Sequence, residues 1–370
     1  MPYGNINVDT VTTTTPGGIL GGGNASLMKN RIINGAMVID QRNAGASVTP
    51  TSGSYTLDRW YFSLAQTSKL TTQQNAGSVT PPVGFTNYLG VTSSSAYSVL
   101  TGDYFGFRQS IEGLNVADLG WGTANAKTVT LSFWVRSSLT GTFGGSLFNS
   151  AANRSYPYSY TISAANTWEQ KSVTIAGDTT GTWLTDNGNG IQVYFSLGAG
   201  STFSGTANTW TGGTWASQPT GSTSVVGTSG ATFYITGVQL EVGSSATGFE
   251  YRQYTTELSL CQRYFYKISG ATQYARMGVG PANSSTTAFI TIFMQVPMRT
   301  IPSSVTTTGA VGLWSGATVF SVSAVTVPSG DSNPFTSSLS CTSSGLTSEK
   351  TYQLMGSNDS TASVALSAEL

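Results

Sequence analysis

Three tryptophans stand in Gly- and Thr-rich loops, where burial within a strand does not account for them. Trp183 lies in Gly181-Thr-Trp-Leu-Thr-Asp-Asn-Gly188, and Trp210 and Trp215 lie in Asn208-Thr-Trp-Thr-Gly-Gly-Thr-Trp215. A flat aromatic face can stack on a sugar ring while Asn208, Asp186 and nearby Thr or Gln side chains take its hydroxyls. Ligand sites use that mixture of apolar surface and a few placed polar groups. The opposing reading is that these rings pack beneath long loops or at a subunit contact. Asp186-Asn-Gly-Asn189 offers oxygen ligands of the kind calcium takes, but it lacks the full spacing of a helix-loop-helix calcium site and reads equally well as a turn. Asp103, Glu112, Asp118, Glu169, Asp178 and Asp186 are available for glycoside hydrolysis, which needs two carboxylates facing each other across a bond. No spacing singles out a pair, so no catalytic residue is assigned and no enzyme is expected.

What the chain lacks narrows the chemistry further. Among its 370 residues there is no histidine, which removes Ser-His-Asp and Cys-His nucleophiles, His-ligated zinc and an imidazole pH switch. Sixteen Lys and Arg balance sixteen Asp and Glu, with no basic cluster to neutralise phosphates, so no nucleic acid is expected as a partner. Gly clusters such as Gly181-Thr-Trp are followed by no helix pattern and form no phosphate-binding loop. Cys261 and Cys341 read as two buried free thiols, with a single bridge between them left open. The opening Met-Pro-Tyr-Gly-Asn-Ile-Asn has neither a basic nor an apolar region of a signal peptide, so synthesis in a cytosol is expected. No apolar run approaches the ~20 residues that span a bilayer, and no membrane insertion is expected.

Only 9% of residues are charged, against about 25% in an average domain. Disorder does not follow, because hydrophobic residues reach 39% and aromatic residues 11%. Thr, Val, Tyr, Phe and Trp favour strands, while 44 glycines with Asn and Ser supply turns. The expected class is all-β with a polar surface.

Four regions are predicted. Residues 1–28 form a Gly-rich arm with apolar islands at Ile6, Val8, Val11, Ile19 and Leu20; it is either a flexible tail or a segment that orders against a partner. Over 29–252, strands are predicted at 58–64, 104–109, 127–136, 168–175, 191–197 and 231–242. In Lys127-Thr-Val-Thr-Leu-Ser-Phe-Trp-Val-Arg136, the residues Val129, Leu131, Phe133 and Val135 share one face. Short strands without intervening amphipathic helices point to an antiparallel jelly-roll sandwich. A short helical linker is predicted over 253–262, within a helix pattern that runs on to 264, with Thr256 as N-cap. Residues 263–370 are expected to form a smaller β-sandwich, with strands at 264–268, 287–296, 318–322 and 325–327. Trp60 and Trp134 sit inside strand patterns and read as core. Arg59, Arg136 and Glu241 are charges within apolar strands. Buried charges must be paired, so an arginine–carboxylate arrangement that fixes the sheets is expected there.

Taken in order, several of these segments resemble a known family. They are Asn30-Arg-Ile-Ile-Asn-Gly-Ala-Met37 with Asp40-Gln-Arg42, Leu57-Asp-Arg-Trp-Tyr61, Leu131-Ser-Phe-Trp-Val-Arg136, and Ile235-Thr-Gly-Val-Gln-Leu-Glu-Val-Gly243 with Ala246-Thr-Gly-Phe-Glu-Tyr-Arg252. The set resembles the jelly-roll domain, similar to carbohydrate-binding modules, of tail fibres and related structural proteins of tailed bacteriophages. Glu257-Leu-Ser-Leu-Cys-Gln-Arg-Tyr264 is similar to the joint that leads, in that family, to a C-terminal β domain. Ile6-Asn-Val-Asp-Thr-Val11 looks like the start of such fibres.

The resemblance covers about 1–265. It implies a homotrimer on the virion surface, docked to a tail or adaptor protein through Ile6, Val8, Val11, Ile19 and Leu20. Host surface polysaccharide would be bound without catalysis, and low charge suits a neutral one. A head fibre or capsid decoration protein of the same module type, and a stand-alone carbohydrate-binding module, remain as alternatives.

Overall fold

The computed structural model describes residues 28–328 and 330–370. The arm residues Ile6, Val8, Val11, Ile19 and Leu20 lie outside the described residues.

Alternation of apolar and polar side chains builds the first sandwich. One antiparallel sheet runs, in spatial order, Tyr55–Leu57, Trp60–Leu64, Tyr104–Glu112, Asn189–Ala199, Gly141–Phe148, Arg154–Ile162 and Thr211–Gly212. The second runs Leu70–Gln74, Leu89–Ser93, Thr232–Val242, Val129–Ser137 and Glu169–Ile175. Their inner faces share one core, with Trp60, Phe62, Phe107 and Phe195 from the first sheet and Leu131, Phe133, Phe233 and Ile235 from the second. Phe107 stacks on Phe195 at 5.5 Å between ring centres, and Phe133 meets Phe195 edge-on at 5.1 Å, an arrangement that suits aromatic quadrupoles. This is an all-β jelly-roll sandwich.

The Gly141–Phe148 strand was hidden in the sequence by its glycines, and its place in the sheet requires them. A Cβ on Gly145 would lie 1.9 Å from the Tyr194 carbonyl oxygen, and one on Gly144 2.4 Å from Pro219. Backbone and loop approach too closely there for any side chain.

The same alternation overturns the reading of Trp134 as core. Val129, Leu131, Phe133 and Val135 point inward and are buried, so Trp134 lies half-buried on the outer face. There it packs beside Gly237, whose Cβ would come within 3.2 Å of the indole. Trp60 is fully buried.

Arg59, Arg136 and Glu241 do not meet one another, and each finds its own partners. Arg59 pairs with Glu369, donates to the Ser110 carbonyl at 2.5 Å, and lies 3.5 Å over the Tyr264 ring. Glu241 lies 3.8 Å from the Lys29 ammonium and accepts from Gln239, the Thr247 amide and the Thr247 hydroxyl. Arg136 has no carboxylate within reach among the described residues. It donates to the Asn166 carbonyl at 3.0 Å from the outer face, where solvent removes the need for a counter-charge.

The helix spans Tyr254–Gln262, with Gln253 at its N-cap and no side-chain cap bond, so Thr256 lies inside the helix rather than at its cap. Beyond it, Phe265–Ser269, Ser363–Ser367 and Ser304–Thr308 form a three-stranded sheet. A seven-stranded sheet runs Val319–Ser321, Val311–Trp314, Thr351–Gly356, Arg276–Pro281, Thr287–Phe293, Thr336–Thr342 and Ala324–Thr326. Ile290, Ile292, Leu313, Leu339, Cys341, Leu354 and Val364 share a core of their own, while Cys261 packs with Ile33, Ile39 and Tyr264 in another cluster; both thiols are free.

The end of the chain returns to the first sandwich. Glu369 pairs with Arg59 and with Arg42 at 2.5 Å, and Tyr55 donates its hydroxyl to the Leu370 carbonyl at 2.8 Å. Arg263 and the Tyr264 hydroxyl both bind Glu112, at 2.5 and 2.8 Å. Arg299 donates to the carbonyls of Ala368, Glu369 and Asn187. No described helix is long and apolar enough to cross a membrane.

Candidate functional site

The loop tryptophans divide into two places. Trp183 and Trp210 come together with Trp121 in a three-way edge-on cluster, with ring centres 4.8, 5.4 and 5.5 Å apart. Each indole N–H is already engaged: Trp121 donates to the Lys127 carbonyl, Trp183 to Thr180 and Trp210 to Ala176, the last at 2.7 Å. Trp210 also meets Tyr156 at 5.2 Å, and the trio packs against the main core. Trp121 belongs to the main core and Trp183 and Trp210 pack against it, so the trio is satellite core beneath the loops.

Asn208 pins the same loop to the Arg154–Ile162 strand, donating its amide to the Pro157 carbonyl at 2.7 Å and its side chain to Ser159. Asp186 is exposed, and its Oδ1 accepts the Gly188 amide at 2.8 Å to close a turn. Among the described residues no three acidic or thiol side chains converge on a point.

The acidic residues weighed for hydrolysis are committed elsewhere. Asp103 accepts the Tyr97 hydroxyl and the Leu100 amide, Asp178 takes Arg154 through both oxygens, and Glu112 holds Arg263 and Tyr264. Asp118 pairs with Arg31 and Glu169 with Lys171. None faces another across a cleft in these contacts.

Trp215 lies apart, on the outer face of the seven-stranded sheet of the jelly roll. It donates to the Ser146 hydroxyl at 3.1 Å and packs on Tyr194 and Phe148 at 4.9 Å each, with Tyr104 and Phe203 at 5.8 Å. Register explains what surrounds it. Tyr55, Tyr61, Arg108, Tyr194, Ser146 and Pro157 are directly opposite one another on six successive strands. Because Trp60, Phe62, Phe105 and Phe107 point into the core, Tyr61 and Arg108 must point out. The result is one continuous row of rings and a guanidinium across the sheet.

Trp215 covers the Tyr194–Ser146 end of this row, and the Leu370 carbonyl caps the Tyr55 hydroxyl at the other. Between them Tyr61 and Arg108 are partly exposed, and Tyr104, four residues from Arg108 along the same strand, is partly exposed beside Trp215. The Arg108 guanidinium lies 4.4 Å over the Tyr61 ring and 5.8 Å from that of Phe148. Burial pushes the Tyr194 phenol far above its ordinary pKa, so it stays neutral, and its hydroxyl finds no partner among the described residues. The row pairs aromatic faces with a cationic donor fork on a rigid sheet, an arrangement suited to holding a flat, hydroxyl-rich ligand without moving a bond.

Of the sequence-predicted site residues, the structure brings Trp183 and Trp210 together and places Trp215 elsewhere. The sequence reading missed Tyr61, Tyr104 and Arg108. Their signal was present in the alternation of Tyr104-Phe-Gly-Phe-Arg-Gln109, where inward Phe105 and Phe107 imply outward Tyr104 and Arg108.

Elsewhere, a concavity of about 220 Å³ lies among Ile32, Val38, Phe85, Phe249 and Tyr251. Its charged residues are structural. Glu250 accepts the amides of Met28 and Asn30 at 2.6 Å each, Glu257 accepts that of Asn34, and Arg252 donates to the Asn30 and Ile32 carbonyls. These bonds clip residues 28–34 to the body.

No model of a known protein family matches the chain, and no curated protein matches it. Among solved structures, it is similar to the enzymatically active domain of tailspike protein 4 of bacteriophage CBA120, at 13% identity and a TM-score of 0.29. That match covers 53% of this chain and 21% of the tailspike. A putative sugar-binding protein from Bacteroides thetaiotaomicron matches at 12% identity and a TM-score of 0.34, covering 58% of this chain and 100% of its own. A family 11 carbohydrate-binding module of a Clostridium thermocellum cellulase matches at 14% identity and a TM-score of 0.26, covering 56% and 100%.

Proposed function

We propose that this protein is a non-catalytic, glycan-binding structural protein of a tailed-phage particle. In this reading it is a homotrimeric fibre, docked to the virion through residues 1–28 and attached to host surface polysaccharide through its β domains. The observation that carries glycan binding is the partly exposed set Tyr61, Arg108, Tyr104 and Trp215 on the outer face of the jelly roll, with Trp215 and Arg108 seated beside buried Tyr194. Aromatic faces there supply stacking surface, and the strand registers fix their positions before any ligand arrives, which lowers the ordering cost of binding. The ordered motifs from Asn30 to Tyr264 support the phage assignment. Commitment of the candidate carboxylates to structural partners supports binding over cleavage.

Attachment would work by multiplication. Single glycan contacts are weak, and three linked copies raise avidity without adding a contact. The test is the solution mass of the full chain beside a version lacking residues 1–28. A trimer, three times the 38.6 kDa chain, is expected for the full chain and after truncation if the β domains hold the assembly. A monomer in both versions would overturn the fibre reading in favour of a stand-alone binding module.

A further inference from the structure

The arginines of this protein are satisfied by oxygen with one exception. Arg59 and Arg154 end on Glu369 and Asp178, while Arg136, Arg276 and Arg299 reach carbonyl or amide oxygens. Arg108 alone makes neither a hydrogen bond nor an ion pair among the described residues; its Nε is buried without a partner. Its neighbours are ring faces, Tyr61 at 4.4 Å and Phe148 at 5.8 Å.

A half-buried cation stripped of partners is unfavourable. Stacking on Tyr61 returns only part of that cost. What stacking does achieve is orientation. The guanidinium is held over the Tyr61 ring with its terminal N–H groups unspent among the described residues, and such a pair of donors matches the two oxygens of a carboxylate. Glu369, the acidic residue near Tyr55 on this side, is already taken by Arg59 and Arg42 and does not compete.

We infer that the outer-face site is specific for acidic glycan, in which a sugar carboxylate is clamped by Arg108 while Tyr61, Tyr104 and Trp215 pack against the adjoining rings. This rests on the glycan-binding reading above, and it replaces the neutral polysaccharide suggested by low overall charge. A neutral sugar would leave the guanidinium with hydroxyls alone, and hydrogen bonds between ionised partners are roughly twice as strong.

The test uses the full-length chain on an array of uronic-acid oligosaccharides, each printed beside its carboxyl-reduced twin and a sulfated neutral glycan. Wild type should prefer the uronides to their reduced twins by about tenfold or more, the scale of one charge-assisted bond. Arg108→Gln should abolish the preference while leaving the melting temperature within a few degrees. Arg108→Lys, which keeps the charge but loses the fork, should retain part of it. Tyr61→Ala should weaken both twins alike. Equal binding of the twins, equal binding of the sulfated glycan, or a preference that survives Arg108→Gln overturns the inference while leaving glycan binding intact. Failure of wild type to bind any glycan overturns the functional reading beneath it.

Discussion

Trp210→Ala separates core from contact most sharply. The indole meets Trp121, Trp183 and Tyr156 at 5.4, 5.5 and 5.2 Å and donates to the Ala176 carbonyl at 2.7 Å. Truncating a fully buried Trp costs ~3–5 kcal/mol. The half-burial of Trp210 lowers its area term, while aromatic pairs add about 0.5–1.5 kcal/mol each and the freed carbonyl adds about 1. The expected loss is about 3 kcal/mol, read by urea unfolding followed through both fluorescence and far-ultraviolet circular dichroism. Glycan binding by the folded fraction should not change. Trp210→Phe, which keeps a ring in the cluster, should cost less than half as much. A loss under about 1 kcal/mol accompanied by weakened glycan binding would refute the reasoning and return Trp210 to the ligand site.

At the joint, Glu369→Gln strands the buried guanidinium of Arg59 and should cost about 3 kcal/mol in urea unfolding; under about 1 would show that solvent reaches the pair. Adding Arg59→Met should recover part of that loss, since the stranded charge is then gone. Burial raises the Asp58 carboxyl from its ordinary 3.8 to about 6, against the opposing pull of Arg42 and two bonds from Gln41. Between those values the folded state holds the extra proton, so the Asp58 contribution to stability is present at low pH and lost as pH rises from about 4 to 6. Asp58→Asn should therefore gain on wild type across that window, by about 3 kcal/mol once pH passes 6; parallel pH–stability curves for the two would contradict the assignment. Burial also pushes the thiol of Cys341 up to about 12 and that of Cys261 well above its usual value. Both should react with a thiol reagent at pH 8 only after denaturation, and rapid native labelling of either would show an open core.

Alternation was the legible part of the fold. Val129, Leu131, Phe133 and Val135 announced their face, and inward Phe105 and Phe107 already implied an outward Arg108. Strands carrying glycines or proline, such as Gly141–Phe148 and Arg154–Ile162, were illegible because intrinsic propensity argues against them and tertiary approach requires them. Composition also misled at the tryptophans. Gly and Thr around Trp183 and Trp210 suggested open loops, yet Trp121, far away in sequence, gives both a partner. Nothing local could show that Tyr61 lies beside Arg108 and Arg108 beside Tyr194. That order is set by how the strands lie side by side, and so the site emerged only with the sheet.

The bond between Arg59 and Glu369 joins residues 310 apart in the chain, and this has a bearing on synthesis. At about 5–20 residues per second, the acid is made roughly 15–60 s after the base. For that interval the nascent jelly roll carries an unanswered guanidinium at the surface where the second sandwich will dock. Ribosome-bound chains halted after the helix should then hold a loosened version of the first sandwich, and the last strand to be made closes both. A fold that looks like two exchangeable cassettes would, by this arithmetic, mature as one.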